Sequence, residues 1–229
     1  MLQLFFVENV ANPNLDGDNA HHAERVLRMR IGEEILVSDG QGSWARCSIS
    51  SINKKEVELA VIESGFEESP KNQISVLQAI PKSDRAKETV ELLTSAGVTN
   101  IYPWQSLRAI GKESDKWQVA AIEASKQSRR FYIPTVSPKL DTSAAVELFK
   151  DFNQVLICHE SAKVQISKVV NSAAKTLIVI GPEGGISDEE LAILESAGGK
   201  IIKLGRPVLR SAHAGIAAIS AVSALMQVW

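Results

Sequence analysis

Two glycine-rich turns, each placed directly after an apolar run, are the strongest chemical feature of the sequence. The run Leu177–Ile180 leads into Gly181–Gly185, and Ile201–Leu204 leads into Gly205 and a loop that ends near Ser211. Ligands of open α/β sheets bind beyond the carboxyl ends of strands, where glycines let a small molecule approach the backbone. Two adjacent turns of this kind predict the walls of one ligand pocket.

These turns do not fit the usual phosphate-binding patterns. They lack the Gly-x-Gly-x-x-Gly order of dinucleotide sites and the Gly-Lys-Ser/Thr ending of a P-loop, which disfavours a nucleotide-dependent oxidoreductase. The only cysteines, Cys47 and Cys158, are far apart, and the adjacent His21 and His22 have no Cys or carboxylate partner at a metal-binding spacing. We therefore predict no metal site and no disulfide framework.

Basic side chains are unevenly distributed along the chain. The net charge is −2, but residues 1–69 carry 6 basic and 12 acidic side chains, whereas residues 70–229 carry 19 and 15. Arg25, Arg28 and Arg30 form a basic island within the acidic first part. Separate basic patches on a nearly neutral protein indicate contact with a polyanion, although a solvated charged surface gives the same counts.

The size and composition are those of a globular protein. The chain has 229 residues, of which 45% are hydrophobic and 23% are charged, so it can bury a core and is not disordered by composition. No apolar stretch reaches the roughly 18 residues that a membrane helix needs. The first residues contain no basic segment before the apolar ones, unlike a secretory signal. We expect a soluble, cytoplasmic protein.

The elements that must position these residues change in type near residue 70. Short apolar runs separated by turn residues predict strands at Leu4–Val7, Glu34–Ser38, Ser43–Ser50 and Glu56–Val61, a hairpin at residues 39–42, and one helix from Gly17 to Met29. A polar segment at residues 67–72 follows. We expect residues 1–69 to form a small β-barrel and residues 70–229 a second domain.

The second domain alternates strands and helices, which is typical of an α/β layer with a mainly parallel sheet. The predicted strands are Ile74–Ile80, Val98–Tyr102, Val155–Cys158, Leu177–Ile180 and Ile201–Leu204. The predicted helices are Asp84–Ala96, Ser114–Ser128, a capped helix from Ser187 to about Ala197, and Ala212–Gln227. The last helix is apolar on nearly all sides, which predicts burial in the core or in a subunit interface.

Six ordered motifs resemble the bacterial RsmE family of SPOUT RNA methyltransferases, nearly from end to end. The motifs are His21-His22-x-x-x-Val26-Leu27-Arg28, Lys82-x-Asp84-Arg85, Ala96-Gly97-Val98 with Ile101-x-Pro103, Glu123-Ala124-x-x-Gln127-Ser128-x-Arg130 with Pro134, the Gly181–Gly185 turn, and Leu204-Gly205 with Val208-Leu209-Arg210. That family methylates N3 of a uridine in 16S ribosomal RNA with S-adenosylmethionine (SAM). The resemblance implies the same activity here.

The resemblance also implies an architecture and a cofactor site. The expected architecture is an N-terminal PUA-like β-barrel that binds RNA, followed by a SPOUT-type α/β domain with a deep trefoil knot, in a homodimer. The cofactor residues carried over from the family are Ile157, His159, Glu160, Ile180, Gly181, Gly184, Gly185, Leu204, Gly205, Val208, Leu209 and Ser211. A β-carbon at Gly184 is expected to obstruct SAM.

The chain departs from the family pattern where the chemistry is expected. The usual ending Leu-Arg-Thr-Glu-Thr-Ala is here Leu-Arg-Ser-Ala-His-Ala at residues 209–214, so the glutamate is missing and His213 follows one place later. Methylation at N3 requires loss of a proton and stabilisation of negative charge on O2 and O4, and we assign the second task to Arg210. His213 is either the base or an ordinary packing histidine, so the base is left open.

The expected partner is 16S rRNA or the small ribosomal subunit, without a membrane or a metal. The residues assigned to RNA contact are His22, Arg25, Arg28, Arg30, Lys82, Arg85 and Arg130. Two alternatives stay open: another SPOUT enzyme, such as a ribose 2′-O-methyltransferase, and a non-catalytic RNA-binding protein of ribosome assembly. The sequence does not give the target nucleotide, or whether naked rRNA or an assembled subunit is the substrate.

Overall fold

The computed structural model describes residues 2–53, 56–172 and 174–228, which fold into two compact units. Residues up to Ser69 form the first unit together with the later segment Ser125–Ile133. The second unit contains Pro70–Ala124 and the residues from Pro134 onward. The chain thus passes between the units near residue 70, and it also returns to the first unit once, which the sequence did not indicate.

The first unit is built on one five-stranded sheet in the order β1-β3-β4-β5-β2. Its strands are β1 Leu4–Phe6, β2 Asn14–Asp16, β3 Glu34–Ser38, β4 Ser43–Ile52 and β5 Glu56–Phe66. β1 and β3 are parallel, and the other pairs are antiparallel. The four predicted strands and the hairpin between β3 and β4 are confirmed. The short β2 was missed.

The segment Ser125–Ile133 completes the hairpin side of this unit. The ring of Phe131 stacks on Trp44 with centroids 5.6 Å apart and an angle of 11° between the planes. The Gly42 amide donates to the Phe131 carbonyl at 3.0 Å, and the Ile133 amide donates to the Gly40 carbonyl at 3.0 Å. These contacts bury one face of Trp44 and pair the tip of the hairpin, so the segment belongs to the first unit.

The helix predicted from Gly17 to Met29 is wrong in its second half. α1 covers only Gly17–His21, and a π-helical turn follows at His22–Val26. The chain then reverses through Arg28, which has a left-handed φ of 54°. A π-turn inserts an extra residue per turn, which shifts every later side chain around the axis.

This irregular turn decides which side chains face solvent. Ala23 is buried in the core of the first unit, and Leu27 and Met29 pack against that core. Arg25 and Arg28 therefore point outward, as does Arg30 just beyond, and all three are exposed. The fold thus produces the basic surface that the composition suggested.

The second unit is a parallel sheet between two layers of helices. The strand order is β11-β9-β10-β6-β7-β8, and every neighbouring pair is parallel. The strands are β6 Gln73–Ala79, β7 Asn100–Trp104, β8 Thr135–Val136, β9 Gln154–Cys158, β10 Lys175–Ile180 and β11 Lys200–Ile202. The helices are α2 Ser83–Ser95, α3 Trp117–Ser128, α4 Thr142–Glu147, α5 Asp188–Ser196 and α6 Ser211–Leu225, with 3-10 turns at Leu148–Asp151 and Ile166–Lys168.

Alternate residues of the central strands fill two separate cores. Val76 and Ile178 pack with α2, α3 and α6 on one face, while Leu77 and Val179 pack with α4 and α5 on the other. All four side chains are fully buried. The prediction of strands that are buried on both faces is confirmed. β8 and α4 were missed, and α3 begins at Trp117 instead of Ser114.

The apolar C-terminal helix packs within its own unit. Ile219 and Val222 of α6, and Met226 directly after it, are buried in the core that α2 shares, and a β-carbon at Gly215 would lie 2.6 Å from Leu93 Cδ2. Burial in the core, one of the two environments predicted for this helix, is therefore confirmed for these residues. Leu225 remains 45% exposed. Among the described residues, no helix has both the length and the apolar character to cross a bilayer.

Candidate active site

The carboxyl ends of β9, β10 and β11 meet at one cavity of about 310 Å³. The strand order places β9 between the other two, so the loops that follow all three strands converge at one edge of the sheet. The lining residues are Cys158, His159, Glu160, Ile180, Gly181, Pro182, Glu183, Gly185, Ile186, Lys203, Leu204, Gly205, Arg206, Pro207, Val208, Leu209, Arg210, Ser211 and Ala214. This is where ligands bind in open α/β sheets.

The first wall is fixed by backbone hydrogen bonds between the loops after β9 and β11. The His159 amide donates to the Ile202 carbonyl at 3.0 Å, and the Lys203 amide donates to the Val164 carbonyl at 2.8 Å. The Ile166 amide in turn donates to the Lys203 carbonyl at 3.1 Å. The loop after β9 therefore runs alongside the end of β11. The trefoil knot implied by the resemblance stays a prediction.

The second wall is the glycine turn after β10, and two of its glycines are required by geometry. Gly185 has a left-handed φ of 73°, and its amide donates to the Pro182 carbonyl at 2.9 Å to close the turn. A β-carbon at Gly181 would lie 2.7 Å from Ile186 Cγ1. The turn is therefore compact, and its backbone forms part of the cavity surface.

A buried polar bridge joins this turn to β6 and to the start of α6. The Ser211 hydroxyl donates to the Gly181 carbonyl at 2.7 Å and accepts from the Gln78 amide at 2.9 Å. Both side chains are at most 5% exposed. An unsatisfied polar group at such a site costs about 1–3 kcal/mol. The bridge thus holds the glycine turn against the amino end of α6.

A buried carboxylate supports the same turn from its other side. Glu190 Oε1 accepts from the Leu107 amide at 2.8 Å and from the Thr142 hydroxyl at 2.9 Å. Its amide donates to the Ser187 hydroxyl at 3.2 Å, which confirms the predicted N-cap of α5. Arg108, next to Leu107, donates to the Gly184 carbonyl at 3.2 Å. Glu190 therefore connects the loop after β7 to the glycine turn.

The structure brings ten of the twelve predicted cofactor residues to this cavity, and Ile157 and Gly184 are the exceptions. Ile157 is fully buried in the sheet, one residue before the lining begins. A β-carbon at Gly184 would contact Arg108 at 3.5 Å, outside the cavity lining. The expectation that a side chain at Gly184 blocks a ligand is therefore not supported by its surroundings.

Arg210, the predicted catalytic residue, also lines the cavity. It is the N-cap residue of α6, and its side chain is exposed. The amino end of a helix and a guanidinium both favour negative charge, so anionic groups are stabilised at this rim. The lining residues outside the predicted turns and cofactor residues are Cys158, Ile186, Lys203 and Ala214.

Cys158 does not add a nucleophile to this site. Burial raises the pKa of its thiol to about 12, so the group stays protonated near neutral pH. Among the described residues, no group of three or more His, Cys, Asp or Glu side chains is arranged to hold a metal ion.

The residues assigned to RNA contact fall into different environments. His22, Arg25, Arg28 and Arg30 are all exposed on the first unit, with the apolar Val26 and Ile31 also exposed beside them. In the second unit, Lys82 is exposed, while Arg85 is partly buried and forms an ion pair with Glu88 at 3.2 Å.

Arg130 differs from the other predicted RNA contacts. It lies in the segment Ser125–Ile133 and is only partly accessible. Burial lowers the pKa of its guanidinium to about 10, and the nearby Glu67 carboxylate opposes that shift. The group is still charged at neutral pH, but its position suits the first unit's internal structure better than a free contact surface.

Family comparisons agree with this two-part architecture. Residues 67–223 match an RNA methyltransferase domain, and residues 15–62 match an RNA methyltransferase PUA domain. These matches cover the sheet that carries the cavity and most of the five-stranded sheet. The class is therefore an RNA methyltransferase with an N-terminal PUA domain, and the predicted fold class is confirmed at this level.

Comparison with individual relatives identifies the family within this class. The chain is 34% identical to the ribosomal RNA small subunit methyltransferase E of Mycobacterium bovis, over 99% of this chain and 93% of that protein. The enzyme of the same description from Bacillus subtilis is 29% identical over 95% and 91%. The Neisseria gonorrhoeae protein of this description, solved bound to S-adenosyl methionine, superposes with a TM-score of 0.89 at 28% identity, covering 98% of each chain. The chain belongs to the ribosomal RNA small subunit methyltransferase E family.

The bridge through Ser211 leads to a stability prediction. Ser211→Ala should lower the free energy of unfolding by about 1–3 kcal/mol, because the Gly181 carbonyl loses its donor and the Gln78 amide keeps only its hydrogen bond to the Ala79 carbonyl. Urea denaturation measures this. Ser220→Ala is the matched control, since that hydroxyl donates only to the Ile216 carbonyl one turn back in α6, and we expect a change within about 0.5 kcal/mol. Equal small losses in both variants would show that the bridge is not important for stability.

Proposed function

We propose that this chain transfers a methyl group from SAM to N3 of a uridine in 16S rRNA, in the cytoplasm. The observation that carries the proposal is the cavity at the carboxyl ends of β9–β11, in a chain that aligns over 99% of its length with a named ribosomal RNA small subunit methyltransferase. The related Neisseria structure, which holds SAM, supports the choice of cofactor.

The residues of the cavity fit such a cofactor. A volume of about 310 Å³ lies at the lower end of the range for small-molecule sites, roughly 300–1,000 Å³. Ile180, Leu204 and Val208 give an apolar surface for a flat ring, and the compact turn at Gly181 exposes backbone polar groups. Charged side chains of both signs line the cavity, which suits a ligand with a cationic centre and a carboxylate.

The residues around the cavity would perform distinct tasks. When bound, SAM supplies an electrophilic methyl group. Arg210 would place its guanidinium next to the oxygens of the target base, where negative charge develops as the N3 proton leaves. The first backbone amides of α6 would also stabilise this negative charge. The loops after β9 and β11 enclose the cofactor and hold Arg210 at the rim.

The first unit would hold the RNA while the second performs the transfer. N3 of uracil is occupied in a base pair, so the target must be unpaired or flipped out of its stack. Exposed arginines at residues 25, 28 and 30 supply contacts to phosphates. Such contacts give affinity without sequence information, so specificity has to come from elsewhere in the complex.

Cofactor binding is tested by filling the cavity from α6. Ala214→Leu adds bulk at a lining position and should weaken SAM binding by at least about tenfold, measured by calorimetry. Ala217→Leu is the matched control, because Ala217 lies on the same helix outside the lining and should bind SAM as the unmodified chain does. Circular dichroism checks that both variants fold. Unchanged affinity in Ala214→Leu would place the cofactor elsewhere.

RNA binding and catalysis are separated by arginine variants. Arg30→Ala should weaken RNA binding and reduce its salt dependence by about one unit of slope, with little change in the single-turnover rate at saturating RNA. Arg28→Gly should behave alike, with glycine chosen because φ at Arg28 is 54°.

Arg210→Ala should bind RNA normally and react about 10²–10³-fold more slowly. Normal turnover of Arg210→Ala would assign that arginine a structural role.

The modified nucleoside identifies the reaction itself. Nucleoside analysis of rRNA from cells with and without this protein should show N3-methyluridine that depends on the protein. A ribose-methylated nucleoside would indicate another SPOUT activity, and no change together with retained RNA binding would indicate a non-catalytic binding protein.

We also propose a homodimer, in line with the resemblance. The apolar side chains exposed at the end of α6 and just beyond it support it, since Leu225 is 45% exposed and Val228 is 39% exposed. Light scattering should give about twice the 24.8 kDa mass of one chain at micromolar concentration. A mass of one chain would overturn this proposal without affecting the cofactor site.

A further inference from the structure

The proposed reaction requires a group that removes the N3 proton. We propose that His213 accepts the proton and that Glu88 positions its imidazole. This inference rests on the proposed function. His213 Nε2 lies 3.7 Å from Glu88 Oε1, and Glu88 Oε2 lies 3.2 Å from Arg85 Nη1. Arg85, Glu88 and His213 are thus linked by consecutive contacts between α2 and α6.

The position of His213 suits this task. It lies in the first turn of α6, and its amide donates to the Arg210 carbonyl at 2.9 Å. Arg210 and Ala214, its neighbours on this turn, both line the cavity. His213 itself is not among the lining residues, and its side chain is 46% exposed beside them. The proton acceptor and the proposed donor to O2 or O4 thus come from one helical turn.

Other side chains at the cavity are less suitable as acceptors of the N3 proton. His159 Nδ1 lies 2.8 Å from the Ser161 hydroxyl and accepts from the Ser161 amide at 3.3 Å, so that nitrogen is occupied. Glu160 and Glu183 also line the cavity, but they lie on the loops after β9 and β10, away from the turn of α6 that carries Arg210. An imidazole can accept a proton and later release it, which general-base catalysis requires.

The surroundings of His213 explain why Glu88 is the positioning group. The charged residues with described side chains on the helical elements packed against α6 are Lys82, Arg85, Lys87, Glu88 and Glu91 at α2, Lys168 in the 3-10 turn Ile166–Lys168, and Arg210 at the start of α6 itself. Of these, Glu88 lies in ion-pair contact with His213. At 3.7 Å the Glu88 carboxylate is within ion-pair distance of Nε2 but beyond hydrogen-bond distance. Its negative charge on that side favours the tautomer with the proton on Nε2, which leaves the Nδ1 lone pair free.

The step balances as a proton transfer coupled to substitution. N3 gives its proton to Nδ1 of His213 and keeps the electron pair, which forms the bond to the methyl carbon. The electron pair of the broken carbon–sulfur bond stays on the sulfur of the donor. The imidazolium, stabilised by the Glu88 carboxylate, later releases its proton to water.

Three variants test the assignment in single-turnover reactions at saturating SAM and RNA. His213→Asn should react about 10²–10⁴-fold more slowly and alter the pH profile of the rate, with SAM and RNA affinities unchanged. Glu88→Gln should slow the reaction about tenfold. Glu91→Gln is the matched control, because Glu91 on the same helix pairs with Lys87 at 3.5 Å and should react normally.

A spectroscopic measurement tests the pairing without cofactor or RNA. The chain has 4 histidines, so nitrogen NMR can assign each imidazole. Neutral His213 should carry its proton on Nε2, and Glu88→Gln should reduce that tautomer while Glu91→Gln does not.

The outcomes separate this inference from the proposed function. If the unmodified chain makes N3-methyluridine and His213→Asn keeps its full rate and pH dependence, the base assignment is overturned. Equal rates and tautomers in the two glutamate variants would overturn the role of Glu88. If the unmodified chain makes no N3-methyluridine, the proposed function fails, and the NMR result still decides whether Glu88 holds His213.

Discussion

The candidate site depends on one buried hydroxyl. Ser211 bridges Gln78 at the end of β6 and the carbonyl of Gly181 after β10, and it also begins α6. Three elements that are distant in sequence are thereby fixed at one point. Arg210 and His213 lie directly beside this residue, so the bridge determines where the two reactive side chains stand relative to the glycine turn.

The parallel sheet explains why so many loops reach one place. In a parallel sheet all carboxyl ends lie at the same edge, and the order β11-β9-β10-β6 brings together three loops that follow late strands. The buried Glu190 adds the loop after β7 through the Leu107 amide. The cavity is therefore formed by several loops together. Hydrogen bonds between these loops hold its walls in place and do not involve a ligand.

The sequence predicted the parts of the site that follow local rules. Apolar runs that end in glycine, and the cap formed by Ser187, are local patterns, and the strands and α5 formed as expected. The hydrogen bonds of the Ser211 hydroxyl were not predictable, because its partners are 30 and 133 residues away. The contact of Gly184 with Arg108 was not predictable for the same reason, since only the tertiary fold places Arg108 against it.

The discontinuous first unit has a consequence for the order in which the chain folds during its synthesis. Domains that are continuous in sequence can fold as soon as they leave the ribosome, from the amino end onward. Here the hairpin at Gly42 and the face of Trp44 have to wait for Phe131. By then β6, α2, β7 and α3 have already emerged. The first unit of the protein is therefore completed only after more than half of the polypeptide has been translated.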